Sequence, residues 1–313
     1  MSTVEAPTQP PPPVLKKAKP HRTERARHER RLGLGLSAPA FVVMIIVTAY
    51  PLLYAVVLSL YRYRLTDPEG REFVGLSNYV TVLSDPIWWN DFVTTSVITI
   101  ASVVIELVLG FCFAWVMYRI IMGRSVVRTG ILVPYGIITV VSAYIWRYAF
   151  QLDSGFVNGW FGLGDFNWFG GRWSSLFVIV LSEIWKTTPF ISLLLLAGLV
   201  QVPMELQEAA SVDGATAWQR LWKVTLPNMK AAIMVALLFR TLDAWRIFDN
   251  PYVMTNGANN TETLSFLAYR QNVTLVNLGT GSAVSVLLFL TVVIIAFIFI
   301  KVFRTDLSQV RGQ

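Results

Sequence analysis

The chain has 313 residues, of which 54% are hydrophobic, 13% aromatic and only 14% charged. Soluble domains carry about 25% charged residues, so this composition predicts one domain that crosses a membrane several times. It excludes a disordered chain and most soluble enzymes, because too few polar side chains remain to coat a soluble surface. The only cysteine, Cys112, excludes a disulfide framework and a cysteine metal cluster.

Residues 1–31 have the composition of a tail. A proline run, Pro10 to Pro13, is followed by closely spaced lysines and arginines. This segment is expected to be disordered or to lie on the membrane surface, where its charges would contact anionic lipid. The apolar run after it is longer than a signal-peptide core and is not followed by a small-residue cleavage site, so it is predicted to remain as the first span.

Six apolar stretches are long enough to cross the roughly 30 Å hydrocarbon core of a bilayer. Their approximate limits are 35–60, 92–118, 129–150, 174–200, 229–254 and 279–303. Backbone polar groups in lipid must be satisfied within their own segment, so each stretch is predicted to be a helix. The predicted fold is therefore all-α, with six transmembrane helices.

The distribution of lysine and arginine predicts the orientation. These residues are concentrated in the tail, around 119–128, around 220–230 and at the C-terminal end, whereas the intervening loops contain few. Because the positive side of a membrane protein is cytoplasmic, both termini are predicted to face the cytoplasm. This asymmetry accounts for the net charge of +7, so a nucleic-acid partner is not expected.

The cytoplasmic loop 201–228 is predicted to be ordered and to contain two short helices. Residues 204–213 are good helix formers, and Pro203 suits the first turn of that helix. Gly214 can adopt a positive φ and end the helix. A second helix is predicted for 216–225.

The second helix of this loop is predicted to be amphipathic and to be broken by Pro227. Trp218, Leu221 and Trp222 recur at helical spacing and share one face. On the residues alone, two interpretations remain open. The loop is either an interfacial hairpin with its tryptophans among the lipid headgroups, or a docking element for a partner.

The same loop also carries a motif of fixed spacing: Glu-Ala-Ala, two residues, Asp-Gly-Ala and, further on, Leu-Pro. It resembles the EAA loop of the membrane subunits of bacterial binding-protein-dependent ABC importers, with Leu221 where many relatives carry phenylalanine. The resemblance implies that residues 203–227 fit a cleft in an ATP-hydrolysing subunit and transmit its closure to the membrane helices. The residues at the family's positions are Glu208, Ala209, Ala210, Asp213, Gly214, Ala215, Leu226 and Pro227.

The resemblance extends over nearly the whole chain from about residue 32. Trp185 with Pro189-Phe190, and the run from Arg240 to Asp249, are similar to the sugar-importing branch that includes the maltose system's larger permease. The overall sequence resembles permeases of bacterial trehalose importers. The resemblance implies a maltose-type permease domain over 32–313 that carries a disaccharide, trehalose foremost, across the bacterial cytoplasmic membrane. The implied partners are a second homologous permease, two ATP-binding subunits and an extracytoplasmic sugar-binding protein or lipoprotein.

Charged side chains inside the predicted spans are costly unless they are paired or hydrated. Glu183 and Lys186 are three residues apart and share a helix face, with Trp185 between them. Glu106 is expected to pair with a basic group on another span. A sugar site needs polar partners beside aromatic rings, and this cluster supplies both.

A second set of charges alternates in sign every three residues: Arg240, Asp243, Arg246 and Asp249. One interpretation of both sets is a self-neutralising structural ladder, and the other is that the fourth and fifth spans line a wet sugar path. A tyrosine in the position of Tyr144 is more often an interfacial belt residue than a site residue. The candidate residues of the path are Tyr135, Tyr144, Arg147, Glu183, Trp185, Lys186, Asp243, Arg246 and Asn250.

Several catalytic and cofactor motifs are missing from the sequence. No Gly-x-x-x-x-Gly-Lys-Ser/Thr run is present, so this chain is not expected to bind ATP by a P-loop. The resemblance implies that ATP and Mg bind to the partner ATPase subunits. His21 and His28 lie in the tail, so no histidine metal site or triad is expected in the membrane, and the chain is expected not to be an enzyme. The alternative function is an ion-gradient-driven sugar transporter with Glu106 and Asp243 as relay carboxylates, or an importer permease for another sugar such as maltose. An ion-coupled carrier has no use for the cytoplasmic loop.

Overall fold

A computed structural model describes residues 24–120 and 122–302. The predicted tail up to residue 23, and the C-terminal residues from 303 onward, lie outside the described residues. The described chain is mostly helical. Its α-helices are α1 (Glu24–Ser59), α2 (Ser77–Ser84), α3 (Pro86–Arg119), α4 (Arg124–Gly136), α5 (Thr139–Ala149), α6 (Val157–Phe161), α7 (Arg172–Val200), α8 (Met204–Val212), α9 (Ala217–Arg220), α10 (Leu226–Asn228), α11 (Lys230–Ala244), α12 (Asp249–Thr255), α13 (Leu264–Tyr269) and α14 (Leu278–Val302).

Other short elements join these helices. Leu221–Thr225 and Arg270–Thr274 are π-helical turns, and Ala258–Asn260 is a 3₁₀ turn. Strands β1 (Tyr61–Arg64) and β2 (Asp67–Phe73) form an antiparallel hairpin. The all-α prediction missed this hairpin, whose first strand alternates tyrosine and arginine with the period of two that is typical of strands.

Four helices in the described ranges are long and apolar enough to cross a bilayer: α1 from Leu32 onward, α3, α7 and α14. Two bent helix pairs raise the number to as many as six, if each pair is counted as one span. These elements overlap the six predicted stretches, but two of the stretches are not single helices.

The predicted third span, 129–150, is broken into α4 and α5, which meet at 90°. Pro134 is in α4, but the bend follows it at Ile137 and Ile138, which are both extended with ψ of 136° and 132°. The Nζ of Lys186 donates to the carbonyl of Ile137 at 2.9 Å. A break at membrane depth is stabilised in this way, because the freed carbonyl finds a partner inside the protein.

The predicted fifth span, 229–254, ends early, because α11 stops at Ala244 and α12 starts at Asp249. Pro251, in the first turn of α12, has no N–H with which to continue a helix from the preceding turn. At the other end, the segment Ala217–Asn228 meets α11 at 68°. Pro227 does not break the second loop helix as predicted, because it occupies the first turn of α10, where its missing N–H is tolerated.

Residues up to Leu52 form a compact unit of their own, which in the described part consists of helix α1 as far as Leu52. This helix begins at Glu24, so the last residues of the predicted tail are helical. Apolar side chains such as Phe41, Val43 and Ile45 are exposed along it. Such a surface is typical of a helix that contacts lipid or another subunit.

The second unit, from Leu53 onward, is organised around the helix pair α3 and α7, which run parallel because Thr94 contacts Arg172 near their starts and Glu106 contacts Thr187 further along both helices. Gly110 permits their close approach, since a Cβ there would lie 2.7 Å from Cγ2 of Ile191. One apolar cluster is centred on Ile98 and Ile179, and another on Ala114 and Leu195. Glu106 of α3, and Glu183 and Lys186 of α7, lie between these two clusters along the helices.

Candidate functional site

Arg240 of α11 is fully buried at the centre of an ion cluster that connects three helices. Its guanidinium contacts both oxygens of Glu106 on α3, at 2.5 and 3.0 Å. It also donates to Glu183 of α7 at 2.8 Å and to Asp243 of its own helix at 2.9 Å. The predicted pairing of Glu106 with a basic group on another span is confirmed, and the base that pairs with Glu183 is Arg240.

Two neutral side chains complete the hydrogen bonding of these carboxylates. The hydroxyl of Thr187 donates to Glu106 at 2.7 Å, and the amide of Asn250 donates to Glu183 at 2.6 Å. The amide oxygen of Asn250 is buried and receives no hydrogen bond from a described residue. Because buried acceptors are nearly always satisfied, this oxygen is available to a hydroxyl or water.

A polar cavity of about 460 Å³ opens beside the cluster. It gathers six of the nine predicted path residues from four helices and one turn. The side chains that line it are Tyr135, Thr139, Glu183, Lys186, Thr187, Asp243, Arg246, Ile247, Phe248, Asp249 and Asn250. Acidic, basic, amide, hydroxyl and aromatic groups therefore face one space.

Lys186 connects this cavity to the break between α4 and α5. Besides its bond to Ile137, its ammonium lies 5.8 Å from the ring centre of Tyr135, within cation–π range. The Tyr135 ring stacks on Phe190 of α7, with ring centres 5.6 Å apart. Both contacts hold the phenol ring at the cavity wall.

The remaining three candidates do not line the polar cavity. Trp185 lines a separate, mainly apolar cavity of about 450 Å³. Its ring packs against that of Trp146 in an edge-to-face arrangement, with ring centres 5.9 Å apart. Tyr144 is exposed on α5. Arg147 donates to the carbonyl of Val253 at 2.8 Å and ties α5 to α12.

The predicted ladder from Arg240 to Asp249 forms only in part. Its first rung, Arg240 to Asp243, is present. The Nε of Arg246 instead donates to the carbonyl of Leu242 at 3.1 Å, and the helix has ended before Asp249. The ladder prediction required one continuous helix, which the turn at 245–248 interrupts.

Sequence reasoning did not select Thr187, Thr139 or Phe248 for the site. Thr187 follows Glu183 by four residues and thus shares its helix face, a signal that was available in the sequence. Thr139 and Phe248 stand at a helix break and in a turn, where helical periodicity gives no guidance.

The predicted coupling segment, residues 203–227, begins with the exposed helix α8, which carries Glu208. Gly214 has φ of +77°, as predicted, and the N–H of Ala215 closes the helix end by donating to Ala210 at 2.9 Å. A Cβ on Gly214 would meet no atom within 4 Å. Substitution there would therefore act through backbone strain rather than through a clash.

The second half of the coupling segment is one helical stretch. The hydroxyl of Thr216 and the side chain of Gln219 form a reciprocal capping box at its start. Gln207 of α8 donates to the hydroxyl of Thr225 at 2.8 Å, which holds the two halves together. The rings of Trp218 and Trp222 lie 5.6 Å apart on one face, as their spacing predicted.

An ion pair lies outside the spans, in the connection before α14. The Nε of Arg270 lies 3.1 Å from a carboxylate oxygen of Glu262. Burial raises the pKa of Glu262 above its ordinary value, and the opposing charge of Arg270 only partly offsets this. Among the described residues, no three His, Cys, Asp or Glu side chains are placed to hold a metal ion.

The sequence matches a transport family and two permeases of known name. Residues 121–309 match the family described as binding-protein-dependent transport system inner membrane component. The trehalose transport system permease protein SugA of Mycobacterium tuberculosis is 52% identical over 282 residues, which are 90% of this chain and 92% of that protein. The trehalose/maltose transport system permease protein MalF of Thermococcus litoralis is 39% identical, over 89% of this chain and 96% of that protein.

The fold is also similar to that of solved importers. A chain of a bacterial ABC transporter involved in the import of the acidic polysaccharide alginate superposes with a TM-score of 0.76. The match covers 91% of this chain and 99% of that chain at 20% sequence identity, so it bears on the fold alone. The helices of this chain are thus arranged as in ABC importer permeases.

Proposed function

Because the chain belongs to the family of binding-protein-dependent transport system inner membrane components, we propose that it is the permease subunit of an ATP-driven importer whose cargo is trehalose. It is a multi-pass protein of the bacterial inner membrane, related to sugar-transport permeases. The observation that carries the proposal is the polar cavity beside Arg240, with its unpaired Asn250 oxygen and its aromatic wall.

The chemistry of this cavity suits a disaccharide. Sugar hydroxyls need both donors and acceptors, which Lys186, Arg246, Asn250 and Asp243 provide in one space. The ring of Tyr135 offers a flat apolar surface for the C–H face of a pyranose. A volume of about 460 Å³ falls within the range of about 300–1,000 Å³ that is usual for small-molecule sites.

Three residues of the proposed path rest on sequence alone. Trp185, Tyr144 and Arg147 face other surroundings, and they become part of the path only if the cavity around Trp185 joins it in another state of the transport cycle. Trp185 is the one to test, because it lines a cavity of its own.

ATP hydrolysis is assigned to partner subunits. The proposed assembly contains a second, homologous permease, two ATP-binding subunits and an external sugar-binding protein or lipoprotein. One solved relative of similar fold is a transporter in complex with a substrate-bound periplasmic protein. The proposed contact with the ATPase is the coupling segment, where the helix end at Gly214 and the exposed carboxylate of Glu208 support a docking role.

The proposed topology has six spans and both termini in the cytoplasm, with residues 1–31 as a tail before the permease domain. The lysine and arginine distribution supports it, since the coupling segment and both chain ends carry the positive charge. Each bent helix pair then counts as one span.

Uptake of radiolabelled trehalose by the complete complex in ATP-loaded proteoliposomes, with the binding protein outside, tests the proposal. We expect Tyr135→Ala and Asn250→Ala to lower uptake while the ATPase still co-purifies. Tyr148→Ala is the matched control, because Tyr148 is an exposed tyrosine on α5 outside the cavity. Wild-type uptake by both cavity variants would refute the path, and stronger competition by unlabelled maltose than by trehalose would refute the cargo. Reduced uptake by Trp185→Ala would extend the path to the Trp185 cavity.

A further inference from the structure

We infer that the chain binds an anionic phospholipid of the cytoplasmic leaflet in a groove between α3 and the coupling segment. The groove has a volume of about 690 Å³. Leu107, Phe111 and Trp115 of α3 form one wall, and Trp218 and Trp222 of the coupling segment form the other. These side chains are apolar, so the groove has the chemistry of an acyl-chain site.

The length of the groove matches the thickness of the hydrocarbon region of one leaflet. From Leu107 to Val116, α3 rises by about 14 Å at 1.5 Å per residue. That is close to half of the roughly 30 Å hydrocarbon core. An acyl chain that starts at the headgroup level beside Trp115 would therefore reach the middle of the bilayer.

The charges at the end of the groove select the headgroup. At Trp115 the apolar groove meets a more polar cavity of about 530 Å³, which Arg119, Arg220 and Glu208 line. The guanidinium of Arg119 lies 5.0 Å from the ring centre of Trp115, at the boundary between the two spaces. Two cations and one carboxylate leave a positive excess, which attracts an anionic lipid phosphate.

A phospholipid accounts for both features at once. An apolar helix of another permease would fill the groove but would leave Arg119 and Arg220 without an anion. The bound lipid would touch α3 and the coupling segment together, so its occupancy would affect how the segment is held. The inference goes beyond the proposed function and takes from it only the side of the membrane.

The test uses the native Cys112, which is exposed and lines the groove. The full complex, with other cysteines replaced in its partner subunits, is labelled at Cys112 with a benzophenone maleimide. It is then reconstituted in nanodiscs of phosphatidylcholine alone or with an equal part of phosphatidylglycerol. After irradiation, mass spectrometry identifies what is attached to the label. We expect phosphatidylglycerol adducts to exceed phosphatidylcholine adducts when both lipids are present.

The arginine variants test the headgroup contact. Arg119→Gln and Arg220→Gln should each lower the phosphatidylglycerol adduct about fivefold, the factor expected for one basic residue near an anionic surface. Arg71→Gln, on the outer hairpin, should leave it unchanged. Cross-linking of the label to a second protein chain would overturn the inference. Equal adduct yields from the two lipids in the wild-type complex would overturn it as well.

Discussion

Replacement of Arg240 by methionine should destabilise the permease more than any other single change in the ion cluster. The substitution keeps much of the side-chain volume and removes the one cation, among the described residues, that contacts both Glu106 and Glu183. The Glu106 side chain is 0% exposed and that of Glu183 is 9% exposed, so neither carboxylate can recover its solvation. Leaving a buried charge without its partner costs about 3–5 kcal/mol.

Asp243 provides the matched control for this cluster. It also pairs with Arg240, at 2.9 Å, but its side chain is 64% exposed. Exposed ion pairs contribute about 0–1 kcal/mol, so Asp243→Asn should have little effect. Both variants remove an ion pair of Arg240. The difference between their losses of stability therefore measures the effect of burying the carboxylates that lose their partner.

The assay is the thermal unfolding midpoint of the purified complex. A loss of 3–5 kcal/mol should lower the midpoint by on the order of 10 °C for Arg240→Met. Adding Glu106→Gln to that variant should recover part of the loss, because one uncompensated charge is removed while Thr187 can still hydrogen-bond the amide. Equal midpoints for Arg240→Met and the wild type, or an equal loss for Asp243→Asn, would refute the reasoning.

Three further predictions concern the coupling segment and the ion pair of Glu262 with Arg270. Gly214→Val should abolish sugar-stimulated ATP hydrolysis by the complex, because a β-branched residue at φ of +77° is strained by about 1–3 kcal/mol. Glu208→Ala should lower the amount of co-purifying ATPase and reduce stimulated hydrolysis less severely. Glu262→Gln should change how the thermal midpoint depends on pH. Because burial raises the pKa of Glu262 in the folded protein, the wild type should gain stability relative to this variant as the pH falls toward 4.5.

For each of these three predictions, a specific result would contradict it. Gly123→Val carries the same kind of strain at φ of +70°, also in open space, but outside the coupling segment. If it impairs hydrolysis as much as Gly214→Val, strain alone explains the loss. Unchanged ATPase co-purification in Glu208→Ala would remove that carboxylate from the docking contact. A midpoint difference between wild type and Glu262→Gln that stays constant with pH would show that Arg270 offsets the burial of Glu262 completely.

The sequence predicted those features that depend on one segment at a time. Hydropathy located α3, α7 and α14, and the need to pair charges in lipid anticipated a basic partner for Glu106. Gly214 could be assigned a positive φ because it separates two helical runs. Each of these inferences needs only local spacing or the properties of the bilayer.

Features that depend on contacts between segments could not be predicted from the sequence. Lys186 was grouped with Glu183 because they share a helix face, yet its Nζ contacts the backbone of Ile137, a residue of another segment. Hydropathy also cannot distinguish a straight span from α4 and α5 at 90°, because both bury the same apolar length. Trp185 was selected for its neighbours in sequence, but helical rotation directs it to a different cavity.

A continuous route of contacts leads from the coupling segment to the cavity. Gln207 bonds Thr225, and the helical stretch that contains Thr225 continues through the buried Met229 into α11. Arg240, ten residues along α11, binds Glu183, which in turn receives the amide of Asn250 at the cavity wall. A movement of the coupling segment that tilts α11 must therefore either carry Glu183 along or break a buried ion pair. Because breaking that pair leaves a charge unpaired, the lower-energy response is for α7 and the cavity wall to move with α11.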